Sequence, residues 1–134
     1  MKKAFTLIEI LVVATIIGLL AAVGAASYSQ FMKQSRDSKR KADMENVRAA
    51  LEMYRSNNST YPIGSGWSTL NVLTSGTIYI KTLPSDPKNP TNSYYYTSDG
   101  TTYTVAAQLE AGGNSCFAGQ CGANCNYCVG PYGQ

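Results

Sequence analysis

The feature that most constrains this chain is an apolar run from Phe5 to about Ala26, preceded by Lys2 and Lys3 and interrupted near its start by one carboxylate, Glu9. A bilayer core needs roughly 20 apolar residues in helical form, so the run is long enough to cross one. A lone acid in hydrocarbon costs on the order of 3 kcal/mol even on lenient insertion scales. Glu9 therefore points to a function and a partner. Two plainer readings stand beside this one. A cleavable secretory signal would have a shorter apolar part and no acid, although Ala25-Ala26-Ser27 offers a small-residue cut site. A plain single-span anchor explains the length and leaves Glu9 unexplained.

Beyond the run, nothing stops a helix for a long way. From Phe5 to about Asn57 there is no proline, and only Gly18 and Gly24 weaken the pattern. A helix of about 53 residues would be about 80 Å long at 1.5 Å per residue. Ala14, Gly18, Ala22 and Ala26 recur every four residues, which places small side chains in one stripe where helices can approach closely. A polar waist follows from Lys33 to Asp43, with Lys33, Arg36, Lys39, Arg40 and Lys41 set against Asp37 and Asp43. The plain reading is a solvated helix surface with mixed ion pairs worth a few tenths of a kcal/mol each. The sharper one is lateral contact with acids of neighbouring subunits. These cations would lie outside the membrane, against the positive-inside tendency. From Met44 the helix becomes amphipathic, with Met44, Val47, Leu51 and Tyr54 on one apolar stripe and Ala50 beside them. Tyr61-Pro62 marks the stop. Asn57-Asn58-Ser59 and Asn58-Ser59-Thr60 both match the glycan-acceptor pattern, a match common by chance.

The remainder reads as a small sheet with connections. Residues 63–76 form a loop around a short helix starting at Ser68, with Gly64-Ser65-Gly66 as a turn. Thr77 to Ile80 is strand-like but short, and Thr82 to Pro87 is a turn-rich connection. A hairpin is predicted from Ser93–Ser98 and Thr101–Glu110 across Asp99-Gly100, in type I′ geometry. That register pairs Tyr96 with Tyr103 and Tyr94 with Val105. It places Tyr94, Tyr96, Tyr103, Val105, Ala107 and Leu109 on a core face against Val47, Leu51 and Tyr54. Tyr95, Thr97, Thr102 and Thr104 then look outward.

Composition closes several routes. The chain has 134 residues, no histidine and a net charge of +3. Without histidine, and with no nucleophile–base or metal constellation to assemble, it is not read as an enzyme. The mild charge gives a nucleic-acid partner little support, since beyond the long helix only Lys81 and Lys88 offer a basic surface. Cys116, Cys121, Cys125 and Cys128 crowd into a Gly- and Asn-rich tail. Zinc ribbons separate their cysteine pairs by a dozen or more residues, and only three separate the pairs here. On the far side of a membrane thiols oxidise, so two disulfides are favoured over a four-thiolate metal site. Four cysteines allow three pairings, and the spacing does not choose among them.

Phe5-Thr6-Leu7-Ile8-Glu9 after a short basic leader resembles the N-terminus of type IV pilins and of the pseudopilins of type II secretion systems. The resemblance is close from Lys2 to about Tyr61, weaker through the sheet region, and absent from the last twenty residues or so. It implies cleavage between Ala4 and Phe5 by a prepilin peptidase, methylation of the new Phe5 amine, and Glu9 as the fifth mature residue. Ala4 departs from the glycine usual before the cut, and Ala26 stands where a proline is common, while Gly18 keeps the family's glycine. The implied fold is α+β: a long N-terminal helix packed on a small antiparallel sheet, with a cysteine-rich C-terminal loop. The implied division is a leader at 1–4, a membrane or filament-core helix at 5–28 and a soluble head at 29–134. The implied function is a structural subunit of a type IV pilus-like filament, assembled through Phe5, Glu9 and Gly18. The alternative is the major pseudopilin of a type II secretion system, which the Leu83-Pro84-Ser85-Asp86-Pro87 turn resembles. A further alternative is a tethered minor pilin that binds DNA or a surface. The implied partners are copies of the chain, the peptidase and methylase, an inner-membrane assembly platform and, before assembly, lipid. The precursor would sit in the cytoplasmic membrane and the mature protein in a periplasmic or extracellular filament. Major pseudopilins typically hold their C-terminal loop with calcium bound by carboxylates. This tail has no acid beyond Glu110, so no cofactor or metal is expected and disulfides are expected to replace the ion as the staple.

Overall fold

The computed structural model describes residues 5–118, 120–122 and 124–133, with the backbone alone for Ala26, Phe117 and Ala118. The expected leader, including Ala4 and the cut before Phe5, lies outside the described residues on its N-terminal side. The chain divides into two compact units, the first ending at Gln34 and the second spanning Ser35–Gln134.

The first unit is the opening part of one helix, α1 (Leu7–Asn58). The sequence demands it, because nothing from Leu7 onward competes with the helical hydrogen bonds and the two glycines are isolated. The helix runs through Gly18, Gly24 and Ala26 without a break in its assignment. Every described side chain in this unit is exposed. The hydroxyls of Thr15 and Ser27 donate back to the carbonyls of Val12 (2.8 Å) and Val23 (3.3 Å), which satisfies them without water.

The second unit contains the core. The remainder of α1 is followed by β1 (Gly64–Ser65), a 3₁₀ helix (Trp67–Leu73), β2 (Tyr95–Ser98), β3 (Tyr103–Ala107), β4 (Phe117–Ala118), β5 (Asn124–Cys125) and β6 (Tyr127–Val129). Strands β1-β2-β3-β6 form one antiparallel sheet in that order, and β4-β5 form a second. The fold is α+β, as the resemblance implies. Met44, Val47, Ala50 and Leu51 of α1 share one buried cluster with Tyr94, Tyr96, Tyr103, Val105, Ala107 and Val129, closed at one end by Leu70 and Leu73. Tyr54 packs against its rim. The helical spacing of Met44, Val47 and Leu51 and the period-2 spacing of Tyr94, Tyr96, Tyr103 and Val105 meet as amphipathic elements must.

The hairpin keeps the expected faces and changes its register. Tyr96 faces Val105 and Ser98 faces Tyr103, so the loop holds residues 99–102 rather than Asp99-Gly100 alone. One oxygen of Asp99 accepts the backbone N–H groups of Thr101 (2.9 Å) and Thr102 (2.8 Å) and the Thr101 hydroxyl (2.8 Å). These bonds satisfy donors that a two-residue turn would have placed in the ladder. The shift moves each partner by two residues. Two is the side-chain period, so no residue changes face. Gly100 sits at φ 95° against Ile63, a conformation that L side chains rarely adopt.

Four other expectations are corrected. Gly64 and Ser65 are an edge strand paired to Ser98 and Thr97, not a free turn. Thr77–Ile80 is not a strand; the N–H groups of Tyr79 and Ile80 both donate to the Leu73 carbonyl and cap the 3₁₀ helix. Leu109 lies beyond the end of β3 and is only half-buried. The second sheet face is not simply outward, because Tyr95 and Ala106 pack under Cys121, Cys125 and Cys128.

The tail achieves this with nested disulfides, Cys116–Cys128 around Cys121–Cys125. Asn126 docks it to the sheet: its amide oxygen accepts from Leu109 N–H (2.6 Å) and its amide nitrogen donates to the Leu109 carbonyl (3.0 Å). A Cβ on Gly113 would stand 2.6 Å from the Asn126 carbonyl, so this approach requires glycine.

Candidate functional site

Three groups of polar side chains are positioned by the fold, one in the first unit and two in the second. The first is at the start of α1. Thr6 and Glu9 form a capping box, in which the Glu9 N–H donates to the Thr6 hydroxyl oxygen (3.3 Å) while Glu9 Oε2 accepts from the Thr6 N–H (2.9 Å) and the Thr6 hydroxyl (2.8 Å). Such reciprocal bonds satisfy helix N-terminal donors that otherwise have no intrahelical partner. Glu9 is thus not bare within its own chain, as the sequence reading supposed. It is an anion at the positive end of a helix dipole, held by its neighbour.

Around that box the helix presents an apolar surface that no described residue covers. Phe5 and Leu7 are 81% and 83% exposed, and Ile8, Leu11, Ile17, Leu19 and Leu20 are exposed too. The helix is long and apolar enough to cross a membrane. A Cβ on Gly18 would meet nothing within 4 Å among the described residues.

The second group lies in the waist, where Lys33, Lys39 and Lys41 are exposed but one face turns inward. Arg40 is fully buried, and Asp37 and Asp86 are 5% and 4% exposed. Arg40 Nε and Nη2 donate to the two oxygens of Asp86 (2.7 and 2.9 Å), and Nη1 donates to Asp37 (2.7 Å) and to Glu110 Oε1 (3.0 Å). Arg36 grips both oxygens of Glu110 (2.6 and 2.7 Å), and Lys88 Nζ adds a third cation (2.7 Å). Asp37 in turn accepts the N–H groups of Glu110 and Ala111. Arg36, with Lys88 and Arg40 behind it, holds the Glu110 carboxyl well below the usual carboxylate range. The Asp86 hydrogen bonds, with those of Glu110 and Asp37, raise the Arg40 guanidinium above its ordinary value and keep it charged.

A third set ties α1 to the sheet through tyrosine hydroxyls. Tyr94 donates to Asp43 (2.7 Å), Tyr103 and Tyr61 donate to Glu52 (3.0 Å each), and Tyr96 donates to the Pro62 carbonyl (2.7 Å). Burial pushes these hydroxyls up, Tyr96 to about 12, so all remain donors at neutral pH. Asn57 and Asn58, the two glycan-acceptor candidates, both donate to the Tyr79 hydroxyl.

The calcium that the resemblance implies does not fit the residues present. Glu110 and Asp86 have both oxygens engaged by cations. No group of three His, Cys, Asp or Glu side chains among the described residues is placed to hold a metal. All four cysteines are in disulfides, which removes the thiolates a zinc site would need. Lys88 is committed to Glu110, which further thins the basic surface beyond the waist.

The sequence carries a signal for the Thr6 cap and for the inward face of Asp37 and Arg40. Thr6-Leu7-Ile8-Glu9 is itself a capping-box pattern. Asp37, Arg40, Met44, Val47 and Leu51 follow one another at spacings of three, four, three and four, on one helical face. Nothing in the sequence links Asp86 and Glu110 to that face, because their proximity is tertiary.

The same positions can be set against known proteins. The prokaryotic N-terminal methylation motif matches residues 1–25, and the family described as Type II secretion system (T2SS), protein G matches residues 28–125. Type II secretion system core protein G of Pseudomonas aeruginosa is 33% identical over 128 residues, covering 84% of this chain and 89% of the relative. Its namesake in Vibrio cholerae is 32% identical over 128 residues, with coverage of 84% and 85%. Type IV major fimbrial protein FimA of Dichelobacter nodosus is 32% identical over 74 residues, 54% of this chain and 47% of that protein. No solved structure matches the chain. With a family match across most of its length and relatives covered almost end to end, the chain belongs to the type II secretion system protein G family.

Proposed function

We propose that this protein is a structural filament subunit, inserted in the cytoplasmic membrane through α1, trimmed between Ala4 and Phe5, methylated at Phe5 and assembled with its apolar helices bundled in a filament core. The observation that carries this reading is the exposed apolar surface of Phe5 to Val23, which suits lipid and then copies of itself as neighbours. The Thr6–Glu9 box suggests how the acid is tolerated before assembly: it is solvated by its own helix. On assembly the Glu9 carboxylate would neutralise the Phe5 amine of a neighbouring copy and so fix axial register, a role for which charged pairs in dry surroundings are well suited. The small side chain at Gly18 would admit a neighbouring helix. The head does no chemistry in this reading.

The family match over residues 28–125 supports a pseudopilus of the type II secretion kind, working in the periplasm. The pilus reading stands second, supported by the fimbrial relative and by a tail stapled through disulfides. Mass spectrometry of filaments sheared from cells tests both. A chain beginning at methylated Phe5 is expected in filaments. Abundance in the sheared fraction would favour the pilus, and retention in the envelope would favour the pseudopilus. Normal filaments from Glu9→Val would overturn the pairing.

A further inference from the structure

We propose that the Arg40 guanidinium is the resident cation of this head, filling from within the chain the role that bound calcium fills in related pseudopilins, so that the head folds and persists without any divalent ion. Three segments far apart in sequence have to be fastened together near the start of the tail: α1, the turn around Asp86, and the stretch after β3 that begins at Gln108. Each contributes one carboxylate, Asp37, Asp86 and Glu110, and all three contact one buried guanidinium. The planar donor fork suits this geometry, with a bidentate grip on Asp86 and a single Nη1 shared between Asp37 and Glu110. The charges balance: Arg36, Arg40 and Lys88 against Asp37, Asp86 and Glu110. Carboxylates satisfied in this way have no oxygens to offer a metal.

The cluster also complements the disulfides. Asp37 accepts the N–H groups of Glu110 and Ala111 at 2.9 and 2.8 Å, fixing the chain where the sheet ends. Past that point the tail has no acid, and Cys116–Cys128 and Cys121–Cys125 take over. The disulfide staple expected from the sequence is therefore half of the arrangement, and the ion cluster is the other half. A covalently attached cation cannot be chelated or diluted away. The inference is independent of which filament the chain builds.

The full-length chain in detergent micelles tests it. Calorimetric titration with calcium chloride is expected to give no saturable binding, and melting with calcium or with EGTA is expected to shift Tm by no more than about 1 °C, since a ligand stabilises only what binds it. Saturable calcium binding, or a Tm several degrees higher with calcium than with EGTA, would overturn the proposal. Asp86→Asn and Arg40→Lys are each expected to lower Tm by at least about 10 °C, with the exposed Lys39→Met unchanged. Failure of Arg40→Lys to fold is the extreme of that loss. A wild-type Tm for both variants would mean that the guanidinium is not the fastener.

Discussion

At the start of α1 a threonine hydroxyl and amide converge on one oxygen of Glu9. Glutamine can serve the same cap, because its side-chain oxygen also accepts from the N-cap N–H. Glu9→Gln therefore separates two roles that Glu9→Val removes together. Glu9→Gln should insert in membranes with the native helix content by circular dichroism, yet be poorly recovered in sheared filaments. Equal recovery would show that the cap matters and the charge does not. Asp99 offers a second residue-scale test. The backbone of Thr102, followed by the side chain and backbone of Thr101, lowers its carboxyl from 3.8 to about 2. Glu110 is likewise depressed from 4.5 by Arg36, Lys88 and Arg40. A depressed folded-state value means that the stabilisation is complete above the unfolded value and is lost as pH falls toward the folded one. Tm should thus be flat from neutrality to about pH 4.5 and fall below it, and Asp99→Asn should flatten part of the decline between about pH 4 and pH 2. A Tm that falls already at pH 6 would contradict this assignment.

Among the elements, α1 shows how one face can carry two chemistries. Met44, Val47 and Leu51 bury against the sheet, and Asp37 and Arg40 extend the same face into the ion cluster. Leu51→Ala should cost about 2–5 kcal/mol in denaturant melts, because the site is closed on all sides. Met53, half exposed on another face, should tolerate alanine within about 0.5 kcal/mol. For the hairpin, Tyr96→Phe should cost about 1 kcal/mol by orphaning the Pro62 carbonyl that the hydroxyl reaches. The face of each hairpin residue was legible because period-2 patterning fixes it. The register was not, because Asp99-Gly100 suits a tight turn locally, and the winning loop is set by Asp99 bonds to Thr101 and Thr102. The helix was legible throughout its length, whereas the burial of its waist was hidden by the habit of reading charge as solvent exposure.

For the molecule as a whole, the tail decides whether the sheet's second face stays covered. The two disulfides close loops of unequal length, with separations of 12 and 4 residues. Chain-entropy arguments assign the longer about 3 kcal/mol and the shorter about 2 kcal/mol. Replacing Cys116 and Cys128 with serine should therefore destabilise more than replacing Cys121 and Cys125, and a reductant should lower Tm where a chelator does not. Composition favoured disulfides over a metal site: four cysteines, no histidine and a tail without acids, with an oxidising compartment expected from the resemblance. Pairing among the three possibilities depended on where β5 and β6 place their sulfurs, which spacing cannot give.

By itself the sequence determined the long helix, the apolar run with Glu9 at its start, the stripe that meets the sheet and the α+β class. The first three follow from periodicity or from the presence of one residue type, both of them local, and the α+β class from the resemblance those residues carry. Only the tertiary structure decided that Arg40 is a buried cation gripping Asp37, Asp86 and Glu110, that the hairpin slips by two residues, and that Cys116 joins Cys128. The first depends on segments 46 and 70 residues away meeting Arg40 in space, the second on a loop's competing hydrogen bonds and the third on where the tail strands place their sulfurs, and no local pattern encodes any of them.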